Sequence, residues 1–297
     1  AMLVERAEAP YRRALALLDA REVRADTAAM RARAEVLNNL GDLLRDAGRP
    51  EAEPTLRQAL NLLETLAARP TASPKDRHSL AAASYNLGET LLGLKRRPEA
   101  APCFARAVTG LEKLAADAPR SVDYHSQLGM ALAQQGALLA EAGQLHEART
   151  ALASAVDHQA RAVQLSRNRD DTRAWLGNHL LDLAGVNLKL GADREAAESA
   201  LKAPQAVPEA SRGQAYLHAA RILARLVIRA GADPKLAQAD RDHLARNYLG
   251  RTIVLLREVI DADPQLAGSI QNDPDIKALE ARPEFQAMMN ALVILRP

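Results

Sequence analysis

The chain is poor in everything that builds a sheet, a disulfide scaffold or a membrane span. Aromatic residues fill only 3% of its 297 positions, with one tryptophan and two phenylalanines. Pleated, half-buried strands favour aromatic and β-branched side chains, so little here would make them. A single cysteine, Cys103, excludes an internal disulfide framework and fits a reducing compartment. It stands beside a stripe of small residues and reads as a buried, inert thiol. The longest uncharged run, Tyr124 to Ala140, contains His125, Gln127, Gln134 and Gln135. It is also shorter than the roughly 20 apolar residues a bilayer span needs, so it reads as an enclosed helix. Near the start, Glu5, Arg6 and Glu8 break any apolar leader, and the expected location is cytoplasmic with no membrane insertion.

Charge of one sign is missing too. Against 39 basic residues stand 37 acidic ones, for a net +2, so no global field draws the chain to nucleic acid or a membrane surface. The short basic clusters Arg12-Arg13 and Lys95-Arg96-Arg97 carry no run of aromatics on which successive bases would stack, Tyr11 standing alone beside the first. The second cluster fills a hairpin turn and reads as a solvated loop. Nucleic acid is therefore not an expected partner.

The parts of an active site are absent as well. There is no glycine-rich phosphate loop, no P-loop lysine, no catalytic-loop Asp/Asn pair and no Asp-Phe-Gly, which phosphoryl transfer needs to position nucleotide and metal. Of the seven histidines, no two lie three or four residues apart. His179 with Asp182, and Asp240 with His243, share helix faces, but each pair offers two ligands where a zinc site gathers three or four. Asp170-Asp171 and Asp273/Asp275 stand where helices begin, so capping explains them better than acid–base work. The expectation is a non-enzyme without metal or cofactor.

What the chain has in abundance is alanine and leucine, arranged periodically. Alanines seven residues apart recur as Ala52/Ala59, Ala100/Ala107, Ala148/Ala155 and Ala196/Ala203, each pair 48 residues after the last. A degenerate copy, Ala7/Ala14, precedes the first by 45. A seven-residue step returns to the same helix face after two turns, so each pair is one contact stripe. Alanine lets a neighbouring helix approach where a larger side chain would overpack by about 1–3 kcal/mol. All four pairs are therefore expected to be buried. The helices before them carry Leu37, Leu40, Gly41 and Leu44, then Tyr85-Asn86-Leu87-Gly88 and Leu91, then Leu132, Gln135, Gly136 and Leu139, then Leu180, Leu183, Ala184 and Asn187. Turns fall at Gly48-Arg49-Pro50, Gly143 and Gly191, while Pro54 and Pro98 open second helices. Trp175 opens a helix at repeat spacing and is expected to pack. Near Pro204 and Pro208 the regular pattern stops. A looser pair follows, about Glu209 to Ala230 and Leu236 to Asp261, then short helices around Asp275 to Ala281 and Glu284 to Leu295.

Leu37, Leu40, Gly41 and Leu44 followed by Ala52, Leu56 and Ala59 resemble the tetratricopeptide repeat (TPR), and the likeness recurs four times between about Ala7 and Ala203. The units are longer than the usual 34 residues, the first turn is one residue short, and the fourth has alanine for glycine. Leu37-Asn38-Asn39-Leu40 also resembles the long-repeat variety of kinesin light chains. A second resemblance lies at the end, through Ala245-Arg246-Asn247-Tyr248, Leu255-Leu256-Arg257-Glu258, Asp273-Pro274-Asp275-Ile276 and Arg282-Pro283-Glu284-Phe285. It is similar to the bacterial repeat region behind planctomycete-type serine/threonine kinase domains, and implies a regulatory or recruiting region.

These resemblances imply an all-α, right-handed TPR-like α-solenoid of antiparallel helix hairpins. Its expected parts are an incomplete repeat helix at 1–25, an array of about four hairpins at 26–204, and a divergent hairpin with a C-terminal helical cap at 205–297. In that cap Phe285, Met288, Met289 and Leu292 should pack on Leu255 and Val259. The TPR likeness further implies that first helices line a concave groove. Its inward positions are Glu35, Asn38, Asp42 and Arg45; Ala82, Tyr85, Glu89 and Leu92; Met130, Ala133, Ala137 and Ala140; and Asn178, Leu181, Gly185 and Leu188. Asn39 and Asn86 stand beside it, where carboxamides match both hydrogen-bonding edges of an extended peptide, or simply tie repeats together. The candidate binding set is Glu35, Asn38, Asn39, Asp42, Arg45, Tyr85, Asn86, Glu89 and Asn178, for a protein or peptide segment with basic character. The alternative is a self-associating homo-oligomeric scaffold, favoured by the small residues Ala133, Ala137 and Ala140.

Overall fold

The computed structural model describes residues 2–20, 26–166 and 169–287. Among them no residue is in a strand, and consecutive helices pair into hairpins. The helices are α1 (Met2–Ala20), α2 (Thr27–Asp46), α3 (Ala52–Ala67), α4 (Pro74–Gly93), α5 (Arg97–Asp117), α6 (Val122–Glu141), α7 (Leu145–Leu165), α8 (Asp170–Leu190), α9 (Asp193–Ala206), α10 (Arg212–Ala232), α11 (Gln238–Ala262), α12 (Ala267–Asn272) and α13 (Pro274–Lys277). They fall into two compact units, residues 1–138 and 139–297.

The four hairpins α2–α3, α4–α5, α6–α7 and α8–α9 turn in the same way. At its first helix's end an amide reaches back six residues' span, Arg49 to Leu44, Arg96 to Leu91, Gln144 to Leu139 and Ala192 to Asn187, at 2.8, 2.8, 2.9 and 2.9 Å. The residue just before each donor has positive φ: Gly48 at 65°, Lys95 at 62°, Gly143 at 80° and Gly191 at 79°. This is the Schellman ending, which satisfies orphan carbonyls through one left-handed residue. Three turns use glycine, whose missing Cβ makes that conformation cheap, and the second uses lysine.

The four alanine pairs are buried as expected, none of the eight residues keeping more than 2% of its surface. The degenerate fifth copy is not a stripe of that kind: Ala7 is exposed and Ala14 only half-buried. In the first unit, Tyr11 and Leu15 of α1 instead pack against Leu40 and Leu44 of α2 and Ala52 of α3. Helix α1 thus makes its contact through the larger side chains beside the alanine line, with Ala7 turned out. Glycine explains the closest helix approaches. A Cβ on Gly41 would stand 2.5 Å from Cγ of Leu56, and one on Gly88 would stand 2.8 Å from Cζ of Phe104. Leu56 and Phe104 are themselves fully buried.

The first unit is also tied by charge. Asp76 closes a capping box with Ser73 at the start of α4 and, 2% exposed, takes both arms of Arg31 from α2, one at 2.8 Å. The Arg31 guanidinium and the Ser73 bonds together hold the Asp76 carboxyl far below the ordinary carboxylate range, against the cost of its burial.

In the second unit Gln159 of α7, wholly buried, donates to the Thr172 carbonyl at 2.9 Å and fastens α8 to α7. Arg173 caps the end of α9 through the Ala206 and Val207 carbonyls, and Arg229 of α10 reaches the Leu188 carbonyl and Asp193. The core of this unit joins α8 to α11 with Leu266, Ile270, Ile276, Leu279 and Phe285 of the closing segment. Phe285, 2% exposed, shares that core with Leu255 and Val259. Met288, Met289 and Leu292, assigned to the same cap, lie outside the described residues. Asp273 caps α13 by accepting from the Asp275 and Ile276 amides, and Arg221 and Arg225 of α10 pair with Asp273 and Asp275.

Candidate functional site

The first helices of the first unit, α2, α4 and α6, stand side by side, and polar side chains cross from each to the next. Helix period and repeat period combine to place them. Asn38, Asn86 and Gln134 follow one another at 48-residue steps, so each occupies an equivalent turn of its helix. The Asn86 amide donates to Asn38 Oδ1 at 3.2 Å, joining α4 to α2. The Tyr85 hydroxyl and the Gln134 carboxamide share a hydrogen bond, joining α4 to α6.

Around this ladder lies a patch of unlike charges. Arg45 reaches Asp42 at 2.6 Å, Asp46 at 2.8 Å and the Asn86 carboxamide oxygen at 3.4 Å. Burial pushes the Asp42 carboxyl above its ordinary value, with Arg45 working the other way. Glu89, one turn after Tyr85, is also pushed up by burial and drawn down by Arg45. Its Oε1 is buried and has no hydrogen-bond partner among the described residues. Tyr85 sets its ring edge-on against Phe104 with centroids 5.6 Å apart, and burial followed by the charge of Glu89 raises its hydroxyl. Glu35 is half-buried and paired with Lys75 at 2.6 Å.

Of the residues singled out in the sequence, Asn38, Asp42, Arg45, Tyr85, Asn86 and Glu89 therefore gather on one surface, with Glu35 ion-paired nearby on α2. Asn39 is exposed, and it is Asn38 that meets Asn86. Asn178 is an exposed residue of the second unit. Sequence reasoning passed over Gln134, and also His78, Tyr124 and Gln127. His78 hydrogen-bonds Gln127 at 2.7 Å and its ring lies 5.1 Å from that of Tyr124. The step from Asn38 to Asn86 to Gln134 was the available signal. Counting inward positions from the motif, across a turn one residue short, hid it.

Other features fall differently from the reading of the sequence. Trp175, expected to pack, keeps 37% of its surface and lies 6.3 Å from the His179 ring. Cys103 is half-buried, and burial raises its thiol. In the second turn Arg96 is not simply solvated, since it bridges Glu99 and Glu53. Among the described residues no three or more histidine, cysteine, aspartate or glutamate side chains converge as metal ligands. None of the described helices is long and apolar enough to cross a membrane.

The surface combines neutral hydrogen-bonding groups with fixed charges of both signs. Carboxamides present donors and acceptors together, and carboxylates and a guanidinium fix polarity and direction. No family model matches the chain, and no curated protein does. Solved structures do. BtubC (BKLC) from P. vanneervenii is similar at a TM-score of 0.56 and 15% identity, over 87% of this chain and 92% of its own. A chain from Podosopora anserina, described as a kinesin light chain with nearly identical TPR-like repeats, gives 0.50 and 17% over 76% of this chain and 96% of its own. The apo form of RapI gives 0.52 and 13% over 97% and 93%. The fold is that of a TPR-like α-solenoid.

Proposed function

We propose that the protein is an interaction scaffold that binds an extended peptide segment along α2, α4 and α6 of the first unit. The observation that carries this reading is the carboxamide ladder. A peptide backbone offers an N–H and a C=O at each residue, and amide side chains spaced by one repeat answer both. The surface also lacks the uniform sign of charge that would select a polyanion. The likeness of the closing segment to the region behind planctomycete-type kinases supports a recruiting role. It adds nothing about the ligand.

The reading is tested by selecting peptides of about 12 residues from a random displayed library against the intact protein. Selected peptides should bind the Asn38→Ala/Asn86→Ala variant about tenfold more weakly or worse, on the scale of about 1 kcal/mol for each hydrogen bond lost. Circular dichroism should show that variant folded. Undiminished binding to it, or footprints confined to α3 and α5, would remove the ladder from the site.

A further inference from the structure

Within the candidate groove, Glu89 is the acid with an oxygen left unpartnered among the described residues. Glu35 has Lys75, Asp76 has Arg31, and Asp42 and Asp46 have Arg45, each at salt-bridge distance. Arg45 is the cation that all three of Asp42, Asp46 and Glu89 act upon. It is already engaged by the first two and by Asn86. One guanidinium thus faces three carboxylates, leaving an excess of negative charge on the surface of a chain whose net charge is +2.

The buried Oε1 of Glu89 is an acceptor with nothing donating to it among the described residues. A hydroxyl or neutral amide would satisfy that oxygen and leave the charge excess. An N–H cation satisfies both, and charge-assisted hydrogen bonds to carboxylate are the stronger kind. The ladder lies alongside: Asn86 precedes Glu89 by three residues and Tyr85 by four, on the same face of α4. A chain held on the carboxamides would carry its own side chains past this carboxylate.

We propose that Glu89 is the subsite for a lysine or arginine side chain of the bound segment. The inference rests on the peptide-binding reading above. Glu35 and Asp42 would set the surrounding potential, while Glu89 makes the direct contact.

The test uses the full chain and three fluorescein-labelled peptides of about 12 residues. All are built on alanine and leucine and differ only at three spaced positions, occupied by lysine, glutamine or glutamate. Fluorescence anisotropy should rank them lysine, glutamine, glutamate, with the lysine peptide favoured over the glutamine peptide about tenfold. Glu89→Gln should erase that preference and leave the glutamine peptide's affinity unchanged. Glu112→Gln, at an exposed acid of α5, should preserve it. If the peptides bind alike, or Glu112→Gln costs as much as Glu89→Gln, the cation subsite is wrong and the groove survives. If lysine amide alone competes as well as the peptide, the ligand is a small amine and the proposal fails. If none of the peptides binds, subsite and groove fail together. Glu89→Gln keeps the side chain's shape, and its thermal melt should be no lower than that of the parent.

Discussion

At the scale of residues, most of the notable positions are places where one side chain bears a conformational or electrostatic cost. Lys95 holds the left-handed conformation that Gly48, Gly143 and Gly191 hold elsewhere. An L side chain there costs about 1–2 kcal/mol, so Lys95→Gly should raise stability by about 1 kcal/mol in denaturant titrations. His179 is 3% exposed, both ring nitrogens are unpartnered among the described residues, and burial lowers its pKa to about 4. The unfolded chain protonates this ring near its ordinary value of about 6.5, so between pH 6.5 and 4 unfolding binds a proton that the native state refuses. Stability is therefore lost as pH falls through that window. The dependence of stability on pH across the window should be flatter in His179→Leu than in the parent.

Asp76 carries the reverse dependence. Its folded pKa lies below the unfolded value, so its contribution is present above about pH 4 and lost as acid protonates it. Because Asp76 is buried and doubly bonded to a partly exposed Arg31, Asp76→Asn should cost about 1.5–3 kcal/mol near neutral pH, the scale of hydrogen bonds to charged groups. A loss below about 1 kcal/mol in chemical denaturation would show that the pair is as weak as an exposed one.

At the scale of elements, the hairpins are set by what does not project from them. Gly41 and Gly88 let α2 approach Leu56 and α4 approach Phe104 closer than any Cβ allows. Gly88→Ala should lose about 1–3 kcal/mol from overpacking, measured as a fall in melting temperature. A change within a few tenths of a kcal/mol would mean that Phe104 relaxes freely. The same logic accounts for the alanine stripes, whose eight members are all buried. It also explains α1, where the alanine spacing persists but its Ala7 faces solvent and Tyr11 and Leu15 make the contact. A periodic pattern places residues on one face; which face meets a neighbour depends on whether larger side chains compete for the contact.

At the scale of the whole molecule, the closing segment completes a core. Leu266, Ile270, Ile276, Leu279 and Phe285 belong to the cluster built by α8 to α11, and Arg221 and Arg225 hold the segment by its acidic helix start. Removing everything after Asp261 should expose that face. At about 1.5–3 kcal/mol for each large apolar side chain withdrawn, the second unit should melt at markedly lower temperature and the protein should aggregate. An unchanged melting temperature with a monodisperse product would show that the segment adds no stability.

Much of this architecture could be read from spacing. The 48-residue recurrence of alanine pairs, glycine turns and leucines determined helical hairpins, their lengths and their buried stripes, because packing of equivalent faces demands equivalent residues. Left-handed turns were legible wherever glycine marked them. Lys95 escaped because only the Schellman bonds of the folded hairpin reveal its conformation. Asn38, Asp42, Arg45, Tyr85, Asn86 and Glu89 lie near one another because the repeat step and the helix period place them on neighbouring turns of α2 and α4. The sequence could not say which polar groups spend themselves on one another. Asn86 meets Asn38 rather than Asn39, Tyr85 finds Gln134, Glu35 is taken by Lys75, and Glu89 keeps an oxygen with no partner among the described residues. Those outcomes depend on side-chain reach across neighbouring helices, a matter of ångströms set by tertiary packing and invisible to a period of whole residues.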